Sequence, residues 1–219
     1  MGTPLDPLFT RDVPVAEAAR ARVLAAAHAE LARAPRTRSW RTEALALFAA
    51  PTLLSLAVAG VLCVLGRTSL TTVWEHAPAL GLLWLASALC AWGALSPRLR
   101  RLPLAALGGA GGAAATLVLT RGPAHGVTTL PEWVCTVSHV GVGLVPGVVA
   151  VLLLRNAAFQ PRRALLAGLS VGTAGAFLGE LACSLGPGHV LGYHLSAWAF
   201  AAVATLGMAR LLPPRSFAP

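Results

Sequence analysis

The 219-residue sequence contains no lysine: all 17 of its basic residues are arginine. Charge of either sign is scarce, at 11% of residues, where a soluble domain carries roughly a quarter. That shortage excludes an ordinary water-soluble enzyme, and a 56% hydrophobic composition with a mean hydropathy of +0.71 points to a membrane protein. The four cysteines are dispersed and never spaced CxxC, which argues against a zinc-finger framework. HExxH, P-loop and strand-to-helix GxGxxG motifs are missing, as are paired intramembrane aspartates, so no enzymatic activity is expected. The want of lysine reads as the base composition of a GC-rich bacterial genome. A pI near 11.3 would suggest nucleic acid in a soluble protein, but the positions of the arginines give it another meaning and no direct nucleic-acid contact is expected.

Residues 1–43 differ from the rest. They hold seven arginines and five of the eight acidic residues, with no apolar run near the ~20 residues a bilayer span needs. They also lack the apolar region and cleavage site of a signal peptide, so the segment is expected to stay in the mature chain. Asp12 can cap a helix start and Pro14 fits its first turn. Val15, Ala19, Val23, Ala27 and Leu31 then recur every four residues with Leu24 alongside, while Arg20, Arg22, Glu30 and Arg33 fall largely on other faces. The pattern predicts an alanine-rich amphipathic helix over about 13–34, ending near Pro35. Its apolar stripe is too thin to form a core and needs a partner; without Trp or Phe between Thr10 and Ser39 it is a weak lipid anchor.

After Glu43 the sequence is a series of apolar runs, read as six spans at 44–65, 73–95, 102–120, 133–154, 164–185 and 190–211. The third is the least apolar, because of Gly108, Gly109, Gly111 and Gly112. The expected fold is therefore all-α: a six-helix transmembrane bundle over 44–211, preceded by a short N-terminal amphipathic helix and followed by a tail at 212–219. Fifteen arginines fall in the N-terminal segment, the loops 96–101 and 155–163 or the C-terminal end, and only Arg67 and Arg121 on the other side. The positive-inside rule then places both termini in the cytoplasm. Trp40, Trp74 and Trp133 sit at interface positions, as aromatic belts do.

Ionisable groups inside a bilayer are costly, which makes each a candidate for function. Most lie at one depth, on the expected outer side: Cys135 and His139 in span four, Glu180 and Cys183 in span five, Tyr193 and His194 one turn into span six, with His189 just outside. Cys135 and His139 are four apart and share a helical face; Glu180 and Cys183 are three apart. Gly168, Gly172, Gly175 and Gly179 form a small-residue stripe that leads on to Cys183, which places that cysteine along a helix seam. Thiolate, imidazole and carboxylate together suit zinc, cadmium or copper, so Cys135, His139, Glu180 and Cys183 are the expected metal ligands for a transient ion. A disulfide between Cys135 and Cys183 is the other chemistry open to the pair. The competing reading is plain packing, since cysteine is often buried for that alone; Cys63 and Cys90 are read that way.

The layout resembles the NrsF-type family of bacterial integral-membrane anti-sigma factors. An arginine-rich N-terminal segment precedes six spans with almost no loops. Cys135 opens span four in Trp133-Val134-Cys135, Cys183 ends span five in Gly179-Glu180-Leu181-Ala182-Cys183, and a short loop with His189 leads into Tyr193-His194. The resemblance implies that the cytoplasmic segment holds an extracytoplasmic-function sigma factor and that two outward-facing cysteines sense heavy-metal stress. Where that family often has Cys-Pro followed by acidic residues and then Trp-His, this chain reads Cys183-Ser184-Leu185-Gly186-Pro187 and Tyr193-His194. The layout also resembles the CarR-type membrane anti-sigma factors of light-induced carotenoid synthesis, for which light-generated singlet oxygen would be the signal.

The leading expectation is thus a membrane anti-sigma factor, binding through Val15, Ala19, Val23, Leu24, Ala27 and Leu31 and sensing through Cys135, His139, Glu180, Cys183 and His194. No resident cofactor is expected. Release by a change of packing and release by a regulatory protease serve such a relay equally well. The alternative is a small transporter or metal-efflux component using the same polar cluster; against it stand the polar-free inner half of the bundle and the absence of any clear pathway to the cytoplasm.

Overall fold

The computed structural model describes residues 17–33, 39–97, 101–122, 131–156 and 158–212. Their regular structure is all helical, joined by short irregular links, with no strand among the described residues. The chain divides into two units, Met1–Arg38 and Ser39–Pro219. In the first, α1 runs from Glu17 to Arg33 with Glu17 in its first turn, where a negative charge complements the free N–H groups. The expected helix positions before Glu17, Val15 among them, and after Arg33 lie outside the described residues, as do residues 213–219 of the tail.

The second unit contains α2 (Trp40–Val64), the short α3 (Leu70–Glu75), α4 (Ala77–Leu95), α5 (Leu102–Leu119), α6 (Trp133–Leu154) and α7 (Pro161–Ala182). The last span enters through the three-residue α8 (Pro187–His189), passes through a π turn (Val190–Leu195) and ends as α9 (Ser196–Leu211). Six segments are long and apolar enough to cross a bilayer: α2, α4, α5, α6, α7 and the composite Pro187–Leu211. The first begins at Trp40, ahead of the expected 44. The second is broken where one continuous run was expected. Pro78, at the start of α4, has no N–H to continue the hydrogen-bond ladder of α3, so the helix restarts after His76. That joint carries the His76 side chain to the site described below.

Helix α7 is the hub. Its apolar window is 83% buried, against 17% for α2, and α2, α4, α5, α6 and α9 all pack on it. Small residues make this packing close. Gly168 of α7 faces the backbone of Ala202 and Ala201 in α9, Gly172 receives the Trp198 ring, and Gly175 and Gly179 receive His139 and His194. Without a hydrophobic drive between helices in lipid, such backbone approach and van der Waals contact are what hold a bundle together. Trp198 is further fixed by donation from Nε1 to the Leu169 carbonyl at 2.7 Å. On the α4 side, Trp84 stacks on Phe177 with centroids 5.6 Å apart, and Ser87 meets Ser170 hydroxyl to hydroxyl at 3.0 Å. Interhelical hydrogen bonds of this kind average ~0.6 kcal/mol in membranes. Ser170→Ala is therefore expected to cost under about 1 kcal/mol in a reversible detergent unfolding titration, far less than the glycine changes treated below.

Candidate functional site

Polar side chains gather at the end of the bundle where α6 begins and α7 ends. Cys135 lies in the first turn of α6, Cys183 is the residue on which α7 terminates, His189 immediately precedes the π turn and His194 lies within it. One ligand atom from each of Cys135, Cys183, His189 and His194 lies within 4.8 Å of the other three. Both cysteines are free thiols. His189 and His194 are buried, at 8% and 2% exposure, and their ring centroids stand 5.1 Å apart. The Nε2 atoms of His139, His189 and His194 are buried with no hydrogen-bond partner among the described residues. Buried imidazole nitrogens left unpaired are unusual and call for an explanation. Two thiols and two imidazoles form a ligand set for a tetrahedral, thiophilic cation, whose donor atoms stand about 3.5 Å apart when the metal is bound. Small rotamer shifts would close the present arrangement to that size.

The ligand set differs from the sequence expectation at two positions. His139 does share a face with Cys135, but its Nδ1 donates to the Cys135 carbonyl at 2.9 Å and its ring packs into the Gly175–Gly179 groove, 4.6 Å from the His194 ring. It supports His194 and stands outside the four-atom group. Glu180 is turned away as well. Its Oε1 accepts from Nδ1 of His76 at 2.6 Å and its Oε2 forms an ion pair with Nη2 of Arg121 at 3.2 Å. The Arg121 guanidinium also donates to the Gly179 carbonyl at 3.0 Å, the same carbonyl that accepts the N–H of Cys183 at 3.1 Å. Glu180 is 5% exposed, and an ionised carboxylate so buried is tolerable only with such partners. A cavity of about 400 Å³ adjoins the network, lined by Arg67, His76, Arg121, Glu180 and Cys183.

Sequence reasoning missed three participants. His189 looked like a loop residue, because the π turn that folds it inward has no spacing signature. Arg121 served only as a topology marker, and His76 as an edge residue of span two. The one available signal was the carboxylate of Glu180 inside an apolar run, which calls for a partner without naming it. At the opposite end of the bundle, Asn156, just past α6, donates to Glu43 at the start of α2 at 3.0 Å. The entry of the N-terminal segment into the bundle and the thiol cluster are therefore at opposite ends. Within α1, Val23 and Leu24 are exposed at 68% and 51%, Ala27 is exposed and Ala19 half-buried. Leu31 belongs to the helix, its side chain lying outside the described set.

No family model matches the chain, and no solved structure matches it. The carotenogenesis protein CarR of Myxococcus xanthus is 48% identical over 215 residues, covering 98% of this chain and 97% of the relative. Identity of that extent over nearly the whole of both chains establishes kinship, and it falls on the CarR-type resemblance that the layout carries. The chain belongs to the CarR family of membrane anti-sigma factors.

Proposed function

We propose that the chain holds an extracytoplasmic-function sigma factor at the bacterial inner membrane through α1, and releases it when a thiol-directed signal acts on the cluster at the other end of the bundle. The observation that carries this reading is the pairing of a four-donor thiol and imidazole group with an apolar helix stripe left without a core. The arginine distribution supports an orientation with residues 1–43 and the tail in the cytoplasm and the cluster outside. Cys135, Cys183, His189 and His194 are the direct sensing ligands, with His139 and Glu180 in supporting positions. A thiophilic cation and an oxidant both meet the chemistry of these residues. The protein acts by binding, without catalysis. A tenfold shift between two packings of the bundle takes about 1.4 kcal/mol, which a single metal–thiolate bond exceeds.

Partner capture should depend on Val23 and Leu24. Burying two such side chains is worth about 1.5–3 kcal/mol each, so Val23→Glu with Leu24→Glu is expected to weaken capture about a hundredfold or more. The check is affinity purification of the tagged full-length chain from host membranes, with the amount of sigma factor measured by mass spectrometry. Near-stoichiometric sigma factor with the wild type and its loss from the double variant, at equal membrane insertion, is the expected result. Equal recovery from both, or no sigma factor from either, sinks the proposal.

A further inference from the structure

His189 and His194 are five residues apart. In an α-helix, at 3.6 residues per turn, that spacing separates two side chains by about 140° around the axis. The wider i→i+5 winding of a π turn returns them to nearly one face. The segment Val190–Leu195 is such a turn, and it is the reason that one span directs two buried imidazoles to a single point. Hydroxyls reinforce the carbonyls of this wider winding. Ser196 donates to the Gly192 carbonyl at 2.6 Å, and both Ser196, at 3.2 Å, and Thr136 of α6, at 3.1 Å, donate to that of Tyr193. Below the turn, α9 is seated on Gly168 and Gly172 and tied through Trp198 to Leu169. Any rewinding must therefore act on the other side, on α8 and the irregular residues 183–186 that link it to α7.

We infer that this π turn is a register switch closed by a thiophilic divalent cation. Coordination by Cys135, Cys183, His189 and His194, with the thiol protons lost to solvent, fixes the π form. Without the cation the turn rewinds toward α, which rotates α8 by about 100° and carries His189 out of the group. Slack taken up from residues 183–186 then draws on Cys183, whose N–H shares the Gly179 carbonyl with Arg121. The inference rests on the sensing reading of this cluster and specifies how occupancy becomes movement.

The test uses the purified full-length chain in mild detergent with Cd²⁺ as the probe. Thiolate-to-cadmium ultraviolet absorption reports binding, and amide hydrogen exchange across 187–196 reports the turn. Cadmium is expected to slow exchange there at least tenfold. Deletion of Gly192, which has no side chain to lose and no neighbour within reach of a Cβ, removes the extra residue of the turn. It is expected to weaken cadmium binding at least tenfold while leaving thiolate absorption at saturation. Equal affinity in the deletion variant, or bound cadmium with unchanged exchange in the wild type, overturns the switch and leaves the sensing reading standing. No cadmium absorption in the wild type overturns cation sensing itself, and the switch with it. Should the deletion variant fail to fold, the exchange measurement on the wild type decides alone.

Discussion

Arg121→Ala should destabilise the bundle by about 3–5 kcal/mol, the range for stripping one partner from a buried ion pair. Glu180 is 5% exposed and its two oxygens are divided between His76 and Arg121. Taking the guanidinium away leaves Oε2 charged and unpaired in a low-dielectric setting, and frees the Gly179 carbonyl of its second donor. Much of that loss is the isolated charge, not the pair, so removing both charges must hurt less than removing one. Adding Glu180→Gln to Arg121→Ala is therefore expected to recover at least about 2 kcal/mol. Reversible unfolding by SDS titration in mixed micelles measures both variants. An Arg121→Ala protein within about 1 kcal/mol of wild type, or a double variant weaker than the single one, would show that the network holds nothing together.

The second large effect is expected at Gly168. A Cβ there would lie 2.5 Å from the Cα of Ala202 and 2.7 Å from the Ala201 carbonyl oxygen. Both obstacles are backbone, so no side chain can turn aside and α7 must separate from α9. Overpacking of this kind costs about 1–3 kcal/mol, and Gly168→Ala is expected at the upper end. Gly60→Ala in α2 is the matched control, since nothing lies within 4 Å of its added methyl. There alanine's better helix propensity predicts a neutral or slightly stabilising change, of up to about 1 kcal/mol. The same SDS titration distinguishes them, and equal effects at the two glycines would refute the close-approach argument.

Much of the architecture was legible because bilayer thickness leaves few solutions. Apolar runs of the right length became helices near the expected bounds, including the glycine-rich third span, now α5. The Gly168–Gly179 rhythm was legible too, because 3.6-residue periodicity maps small residues to one stripe whatever they pack on. The site was legible only in part. Spacing put Cys135 beside His139, but spacing gives the face of a helix and not the rotamer. The groove made by Gly175 and Gly179 draws the His139 ring away from the thiols. Glu180 beside Cys183 looked like a ligand because charge partners from other helices cannot be read along one helix. The π turn was invisible because it is one extra residue in an otherwise ordinary apolar run.

The ion network also imposes an order on biogenesis. Chains emerge N-terminus first, at about 5–20 residues per second. His76 and Arg121 are thus both synthesised before Glu180, which is 104 positions beyond His76. Until the fifth span enters the membrane, His76 and Arg121 lack the carboxylate that joins them in the finished bundle. Arrival of α7 then supplies both the central packing surface and the missing charge. A chain halted before Glu180 therefore leaves Arg121 without the carboxylate that full-length synthesis supplies.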